Sequence, residues 1–526
     1  MVRMIFFIAS LLSLAATAIA QWVLHWPEAL QALWIILPLI FLGIYDLTSN
    51  HNVLRNYPII GHLRYLFEFI RPEIQQYFVA TNQSGRPYNR EQRSLIYQRA
   101  KNVMDTHPFG TEHDITEPGY EYANHSIKVK SVSNTKARLM VGSPQCSQPY
   151  SASLMNISAM SYGSLSKNAI MALNLGAHKA KMYHNTGEGG LTDHHLSGKG
   201  DITWQIGTGY FGCRTHAGDF KPEAFAEKAQ LECVKMIEIK ISQGAKPSHG
   251  GVLPADKISS EISHIRGIPM GKDCISPPGH STFDNPIGLL KFVQTLRELS
   301  NGKPVGFKLC IGIKSQFMGI CKAMLETGIT PDFITVDGAE GGTGAAPLIY
   351  TNRLGMPGDE AVAFVHNCLV GCNLRDSIRL IASGKIASGF DIARKLAIGA
   401  NMVNVARGFM FSVGCIQALS CNTNKCPTGV ASTDPRRYRA IQVNEKSDRV
   451  ANFHNNTIDA LLELTGAMGC DDPQKLHPGL IQYRIDGIRS ATLEQLYHFI
   501  EPGHFLHGQI IDFYRDDWRK SRADSF

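Results

Sequence analysis

Between residues 156 and 411, short runs rich in β-branched and apolar residues alternate with amphipathic stretches, and nothing else in the chain constrains its fold as much. Candidate strands lie at 157–160, 181–184, 203–206, 236–239, 305–309, 333–336, 380–382 and 402–405, and helical patterns at 166–179, 222–234, 286–299, 315–326, 360–367 and 391–398. A strand joined to the next by a helix pairs in parallel, because a parallel neighbour needs a long crossover. Eight such runs over about 250 residues predict an α/β chain folded as a (β/α)8 TIM barrel. An open doubly wound sheet has the same periodicity and stays the structural alternative. The long stretch 242–303 between the fourth and fifth runs would sit at the C-terminal mouth, where barrel loops build active sites.

Glycines, 48 among 526 residues, exceed the usual share of about 7% and gather just past the predicted strands. NTGEGG (185–190) follows the second run, DGAEGGTG (337–344) the sixth, SGKIASG (383–389) the seventh and ARG (406–408) the eighth. Amides freed of side chains can cradle a phosphate, and barrels use the loops after strands 7 and 8 for this. Gly341, Gly342, Ser383, Gly384, Gly389, Arg407 and Gly408 are therefore candidate cofactor-binding residues for a phosphorylated cofactor such as FMN. Simple turns would account for any one cluster but less well for four at strand ends. GTGYFG (207–212) matches G-x-G-x-x-G, yet the next helical pattern starts some ten residues later, whereas a dinucleotide fingerprint opens its helix inside the motif. Lys240, Gln243, Lys246 and Lys308 stand at or just beyond the fourth and fifth runs; a lysine there can steady an anionic flavin ring or hold a substrate carboxylate.

The segment 406–429, ARGFMFSVGCIQALSCNTNKCPTG, carries Cys415, Cys421 and Cys426 in a C-x5-C-x4-C spacing. Thiolates are soft ligands, so three of them suit an iron–sulfur cluster better than a hard cation. A tetrahedral zinc site would want a fourth ligand, and the segment holds no histidine. The bland alternative is three inert buried cysteines. The other nine of the twelve cysteines stand mostly singly, which is no disulfide framework and suits a reducing compartment. His184, His194, His195 and His280 show no metal-ligand spacing and are expected in structural or loop roles. No nucleophile elbow, no phosphate loop of the G-x4-G-K-[ST] type and no early cysteine that processing could expose are present. A net charge of +7 without basic–aromatic runs argues against nucleic acid as a partner.

Two apolar runs open the chain, at 4–24 and 29–44, each close to the ~20 residues that cross a bilayer as a helix. With Arg3 before them and Arg55 and Arg64 after, the pair predicts a hairpin with both ends in the cytoplasm. The rival is a cleavable signal peptide, since Ala18-Ile19-Ala20 resembles a processing site. The expected organisation is a transmembrane hairpin (1–48), a connector (49–145) with helices near 59–70 and 90–104, the barrel (146–435) and a helical C-terminal extension (436–526). In that extension, apolar periodicity marks 457–468 and 493–500.

The motifs AMSYGSLS (159–166), HNTGEGG (184–190), KISQGAKP (240–247), GFKL (306–309), VDGAEGGTGAAP (336–347) and GCIQALSCNTNKCPTGVA (414–431) resemble the synthase region of the glutamate synthase family. The likeness runs over roughly half the chain, from residue 156 to 435. It implies a barrel with FMN and a [3Fe-4S] cluster on Cys415, Cys421 and Cys426, reducing 2-iminoglutarate, made from 2-oxoglutarate and ammonia, to L-glutamate. Carried over, Met160 and Ser161 would lie against the flavin ring, Lys308 near its N1 and O2 edge, and Gly384, Gly389, Arg407 and Gly408 around its phosphate. Gln243 and Lys246 would face the substrate. The sequence departs from the large synthases in lacking a glutaminase segment and a fused NADPH-oxidising partner, and in placing His249 where they tend to carry a glutamate. Electrons are then expected from ferredoxin or a separate NADPH-oxidising subunit, or from a membrane-bound donor. A flavin oxidoreductase of the same build acting on another 2-oxo or 2-hydroxy acid or imine, and a non-catalytic membrane-tethered homologue, are the alternative functions.

Overall fold

The computed structural model describes residues 1–508 and 510–526, which form two compact units, Met1–Arg90 and Glu91–Phe526. In the larger unit eight parallel strands close into a barrel: β1 (Met155–Ile157), β2 (Tyr183–Asn185), β3 (Asp201–Ile206), β4 (Val234–Lys240), β5 (Val305–Leu309), β6 (Phe333–Asp337), β7 (Arg379–Ser383) and β8 (Met402–Val405). Closure comes from β8 against β1, with Val403 beside Met155 and Val405 beside Ile157. Every residue of β5 and β6 is buried, as expected of parallel strands covered on both faces.

The (β/α)8 barrel thus replaces the open-sheet alternative. Most elements start or stop within a few residues of the sequence pattern, and two of the displacements have a visible cause. β1 lies two residues earlier than expected, because Asn156 points inward, donating to Ser153 O and accepting from the Tyr183 amide, and a polar inward residue hides the strand. The helix expected over 222–234 stops at Ala229, where the Lys303 ammonium takes the carbonyls of Ala229 and Leu231 at 2.7 and 2.8 Å and frees Val234 to start β4.

Local chemistry starts the outer helices where the sequence says. Ser166 caps Lys167–Ala180, Asn285 caps Pro286–Leu299 with proline at its first position, and Ser388 forms a capping box with Asp391 at Gly389–Ala397. The eighth helix is the long Val443–Ala467, and it packs on Lys167–Ala180 at Gly176, where a Cβ would stand 2.4 Å from Val450 Cγ1. Outside the barrel, Arg138–Val141 pairs antiparallel with Tyr150–Ser153, and Glu121–Ala123 joins Ile481–Arg484 and Ser490–Thr492 in a three-stranded sheet.

The barrel interior is polar toward its C-terminal end. Glu238 on β4, almost fully buried, accepts from Asn185 of β2 at 2.8 Å, Gln205 of β3 at 2.7 Å and Thr335 of β6 at 2.6 Å. Neutral donors from three strands satisfy this carboxylate, so it pins their mutual register beneath the rim.

The smaller unit holds the helices Val2–Trp22 and Leu33–Thr48, the latter entered through the 3-10 turn Pro27–Ala32. Val2–Trp22, and Pro27–Thr48 with the 3-10 turn included, are long and apolar enough to cross a membrane, and only 11% of the apolar window of each is buried. They meet at Gly43, where a Cβ would stand 2.1 Å from Phe6 Cε2, the close approach a small residue permits. Asp46 is fully buried, accepting from the Ile59 amide and the His62 ring at 2.8 Å each, and so fixes the start of helix Gly61–Ile74.

Candidate functional site

Because every barrel strand points the same way, the residues just past each strand end meet on one rim. Lys308 near the end of β5 pairs with Asp337, the last residue of β6, at 3.3 Å, and both are buried. Burial alone would raise the Asp337 carboxyl, but Lys308, the Gly244 amide and Ser383 outweigh it and hold the carboxyl below its ordinary range. Gly244 is here for a steric reason: a Cβ would stand 1.7 Å from Gly338 O, so only glycine lets the loops after β4 and β6 touch.

The loop after β4 carries the rest of the charged pocket. Lys240 donates to Glu188 at 2.6 Å and to Gln243 Oε1 at 2.6 Å, while Gln243 Nε2 donates to Gly342 O at 3.2 Å. Gln243 therefore ties the lysine end of the pocket to the glycine loop after β6. Glu188 is pushed up by burial yet held below its usual value by Lys240, with Lys246 and Arg266 adding to the pull. Lys246 is only 3% exposed, and among the described residues its ammonium has no carboxylate within ion-pair distance. Burial, then repulsion from Lys240, bring it down to about 8, with Glu188 opposing.

Past β1, Met160 and Ser161 are buried, and the Ser161 hydroxyl meets Ser164 Oγ at 2.9 Å. Gly187 sits at φ +66°, its absent Cβ leaving room for the Ser161 amide 2.7 Å away. Arg266, from the insertion between β4 and β5, donates to Tyr162 O at 2.9 Å and stacks over Phe211, so the insertion is clasped to the loop after β1.

Past β7 and β8 lie the remaining candidate residues. Gly384 takes φ +125°, and the Ser388–Asp391 capping box leaves the amide of Gly389 pointing out of the helix start. The amides of Gly384, Gly389 and Gly408 donate to no acceptor among the described residues, although Gly389 and Gly408 are buried. Arg407 donates to Glu340 O at 2.5 Å, and a Cβ on Gly342 would stand 2.9 Å from its Nε. Gly341 faces Asp337. The missing side chains of Gly389 and Gly408 also serve packing, since a Cβ there would meet Leu461 N at 2.8 Å and Phe453 at 3.2 Å. Buried donors without acceptors are what an anionic group would fill.

The cysteine loop is wound through three left-handed non-glycine residues, Gln417, Leu419 and Asn424. Asn424 clamps it, donating to Asp256 O at 2.6 Å and accepting from the Thr433 amide at 2.7 Å. The Gln417 amide donates to Cys415 Sγ at 3.4 Å, and Tyr97 holds Cys415 O at 2.7 Å. Burial pushes the Cys415 thiol up to about 12, with Cys421 and Cys426 adding to the rise, so the three sulfurs lie within electrostatic reach of each other. Among the described residues no three such side chains converge tightly enough to grip a single metal ion. A cluster is wider than one ion, and three soft thiols on one loop with an amide on sulfur fit the donor set that a cluster takes.

His184 and His195 are fully buried beside each other, rings 5.4 Å apart, and burial drives His184 to about 3, so both stay neutral. His280 bonds Lys240 O and Tyr210 in a loop. The 207–212 glycines form a turn, and the next helix begins only at Pro222. Sequence reasoning passed over Glu188, Asp337, Arg266 and Lys257. Glu188 and Asp337 do carry a signal, a charge amid glycines at a strand end; Arg266 and Lys257 lie in the insertion and carry none.

A closed parallel barrel with a cluster of buried charged side chains on its C-terminal rim has the build of a (β/α)8 enzyme. The conserved region in glutamate synthase matches residues 98–471. The glutamate synthase large subunit-like protein YerD of Bacillus subtilis (strain 168) is 36% identical over 490 residues, covering 86% of this chain and 93% of that protein. The archaeal-type glutamate synthase [NADPH] of Thermotoga maritima is 33% identical over 339 residues, 64% of each chain, and the glutamate synthase [NADPH] large chain of Bacillus subtilis is 29% identical over 319 residues, 59% of this chain and 20% of that one. The chain belongs to the glutamate synthase family and is an oxidoreductase of the glutamate synthase type.

Proposed function

We propose that this protein makes L-glutamate by reducing 2-iminoglutarate, formed from 2-oxoglutarate and ammonia, with FMN on the barrel rim and a [3Fe-4S] cluster on Cys415, Cys421 and Cys426. The observation that carries the reading is the buried Lys246 ammonium, which lacks a carboxylate partner among the described residues on the rim that also gathers Gln243, Lys240 and Lys308. A cation left unpaired in a buried pocket is kept for a ligand, and a dicarboxylate supplies the missing anion.

FMN, when bound, supplies the hydride, and the cluster supplies one-electron transfer. The chain does the rest. The amides of Gly384, Gly389 and Gly408 with Arg407 would hold the phosphate, and Gly341, Gly342 and Ser383 would line the approach. Met160 and Ser161 would back the ring, and Lys308, oriented by Asp337, would face its anionic edge. Lys246 would fix a substrate carboxylate while Gln243 sets the distance between the loops after β4 and β6. The Val2–Trp22 and Leu33–Thr48 helices support a membrane anchor with the barrel on the cytoplasmic side, served by ferredoxin, a separate NADPH-oxidising subunit or a membrane-bound donor.

Purified protein is expected to be yellow-brown, to release FMN on denaturation, and to form glutamate from ammonium, 2-oxoglutarate and reduced ferredoxin or dye. Serine in place of any of the three cysteines should empty the protein of iron by metal analysis. Flavin release without glutamate formation would discard the substrate and favour the second reading, another 2-oxo acid or imine, to which His249 on the loop after β4 points. A reporter fused after residue 50 and found outside the cytoplasm would reverse the anchor's orientation.

A further inference from the structure

Lys257 lies in the insertion between β4 and β5, in the short turn Ala255–Lys257, and is 2% exposed. Its ammonium donates to two carbonyls, Ser164 O at 2.8 Å and Cys421 O at 3.2 Å. Among the described residues no carboxylate pairs with it, and the groups within its electrostatic reach that could carry negative charge are the sulfurs of Cys421 and Cys426. The other nearby charge, Arg266, is positive and makes its isolation worse. A buried ammonium needs an anion, and carbonyl dipoles alone satisfy its hydrogens without neutralising its charge.

We propose that Lys257 is the counter-ion of the iron–sulfur cluster on Cys415, Cys421 and Cys426, and that it fixes the cluster loop to the loop that carries Ser161. This rests on the cofactor reading above. The tether runs from Cys421 O through the Lys257 ammonium to Ser164 O, and the Ser164 hydroxyl meets Ser161 Oγ at 2.9 Å. Reduction of the cluster takes one electron from a one-electron carrier, which is oxidised, and leaves the iron–sulfur unit one charge more negative. A fixed neighbouring cation favours that state, so Lys257 raises the cluster's potential. Lys257 is a positioning residue and touches no substrate.

The test uses the full chain purified anaerobically, as wild type, Lys257→Met and Lys257→Arg, with iron and FMN content measured first. A mediated redox titration with dithionite, followed by electron paramagnetic resonance of the cluster, reads the potential. Lys257→Met is expected to shift the reduced-to-oxidised ratio at fixed potential at least tenfold toward oxidised, about 59 mV for a one-electron couple, with Lys257→Arg close to wild type. Iron lost from Lys257→Met but kept by Lys257→Arg, with FMN retained in both, supports the same conclusion. Full iron with an unmoved potential in Lys257→Met overturns this inference alone, as does iron lost from both variants. Wild-type protein without iron overturns the cluster reading and this inference with it.

Discussion

Replacing Lys246 by methionine is expected to stabilise the protein while destroying its hold on 2-oxoglutarate. Lys246 is nearly inaccessible, and its ammonium is brought down from 10.5 to about 8. A tenfold change in proton affinity is worth about 1.4 kcal/mol, so keeping the group charged at pH 7 costs the fold about 2–3 kcal/mol once residual solvent is allowed for. Methionine fills similar volume without the charge, and for a unit this large the gain is a melting point about 2–5 °C higher. Losing a desolvated ammonium–carboxylate contact to the substrate costs about 2 kcal/mol or more, so KM for 2-oxoglutarate should rise about thirtyfold or more. The pH dependence follows from the lowered value. Between about 8 and 10.5 the unfolded chain binds the proton and the folded one does not, so wild-type stability climbs with pH through that window and the methionine variant's advantage shrinks. Thermal unfolding of ligand-free protein at pH 7 and 9.5, with steady-state kinetics, checks both halves. A lower melting point with an unchanged KM would show that Lys246 serves packing, and the argument from its missing partner would fail.

The same lysine predicts that KM for 2-oxoglutarate in the wild type rises as pH passes about 8, where the ammonium loses its charge; a profile flat to pH 9 contradicts it. Gly244→Ala should cut activity at least tenfold and lower the melting point by several degrees, because its Cβ would lie 1.7 Å from Gly338 O and must part the loops after β4 and β6. Lys308→Met should destabilise by about 3 kcal/mol by leaving Asp337 buried and uncompensated, and adding Asp337→Asn should recover most of that loss in a denaturation series.

The barrel was legible because its strands are buried on both faces. Runs such as Val305–Leu309 and Met402–Val405 are continuous, and the structure places them on the bounds the pattern predicts. Strand β1 was misplaced where Asn156 puts a polar group inside, and Val443–Ala467, inside the stretch expected to be helical, shows apolar periodicity only in its second half because asparagines and charges fill its first turns. The cluster of Lys240, Gln243 and Lys246 on one rim could be read from position alone, since everything past a barrel strand meets there. Glu188 was in view but masked by the glycines around it. Lys257 and Arg266 could not be found, because the insertion that carries them has no period of its own; its path is set by contacts with the loop after β1 and with the cysteine loop.

Charge on the rim argues for what the site is built to take. Lys240, Lys246, Arg266 and Lys308 face Glu188 and Asp337, so cations outnumber carboxylates in a pocket where these side chains are largely buried. The cations are not served evenly. Asp337 is committed to Lys308 and Glu188 chiefly to Lys240, whereas Lys246 keeps no carboxylate of its own within ion-pair distance among the described residues. A neutral or cationic substrate would leave that excess uncompensated in low dielectric, at the cost of about 2–3 kcal/mol that Lys246 already carries in the ligand-free protein. A carboxylate beside Lys246 restores the balance on the substrate side, and a dicarboxylate carries a second anionic group that the remaining cations of the rim can share.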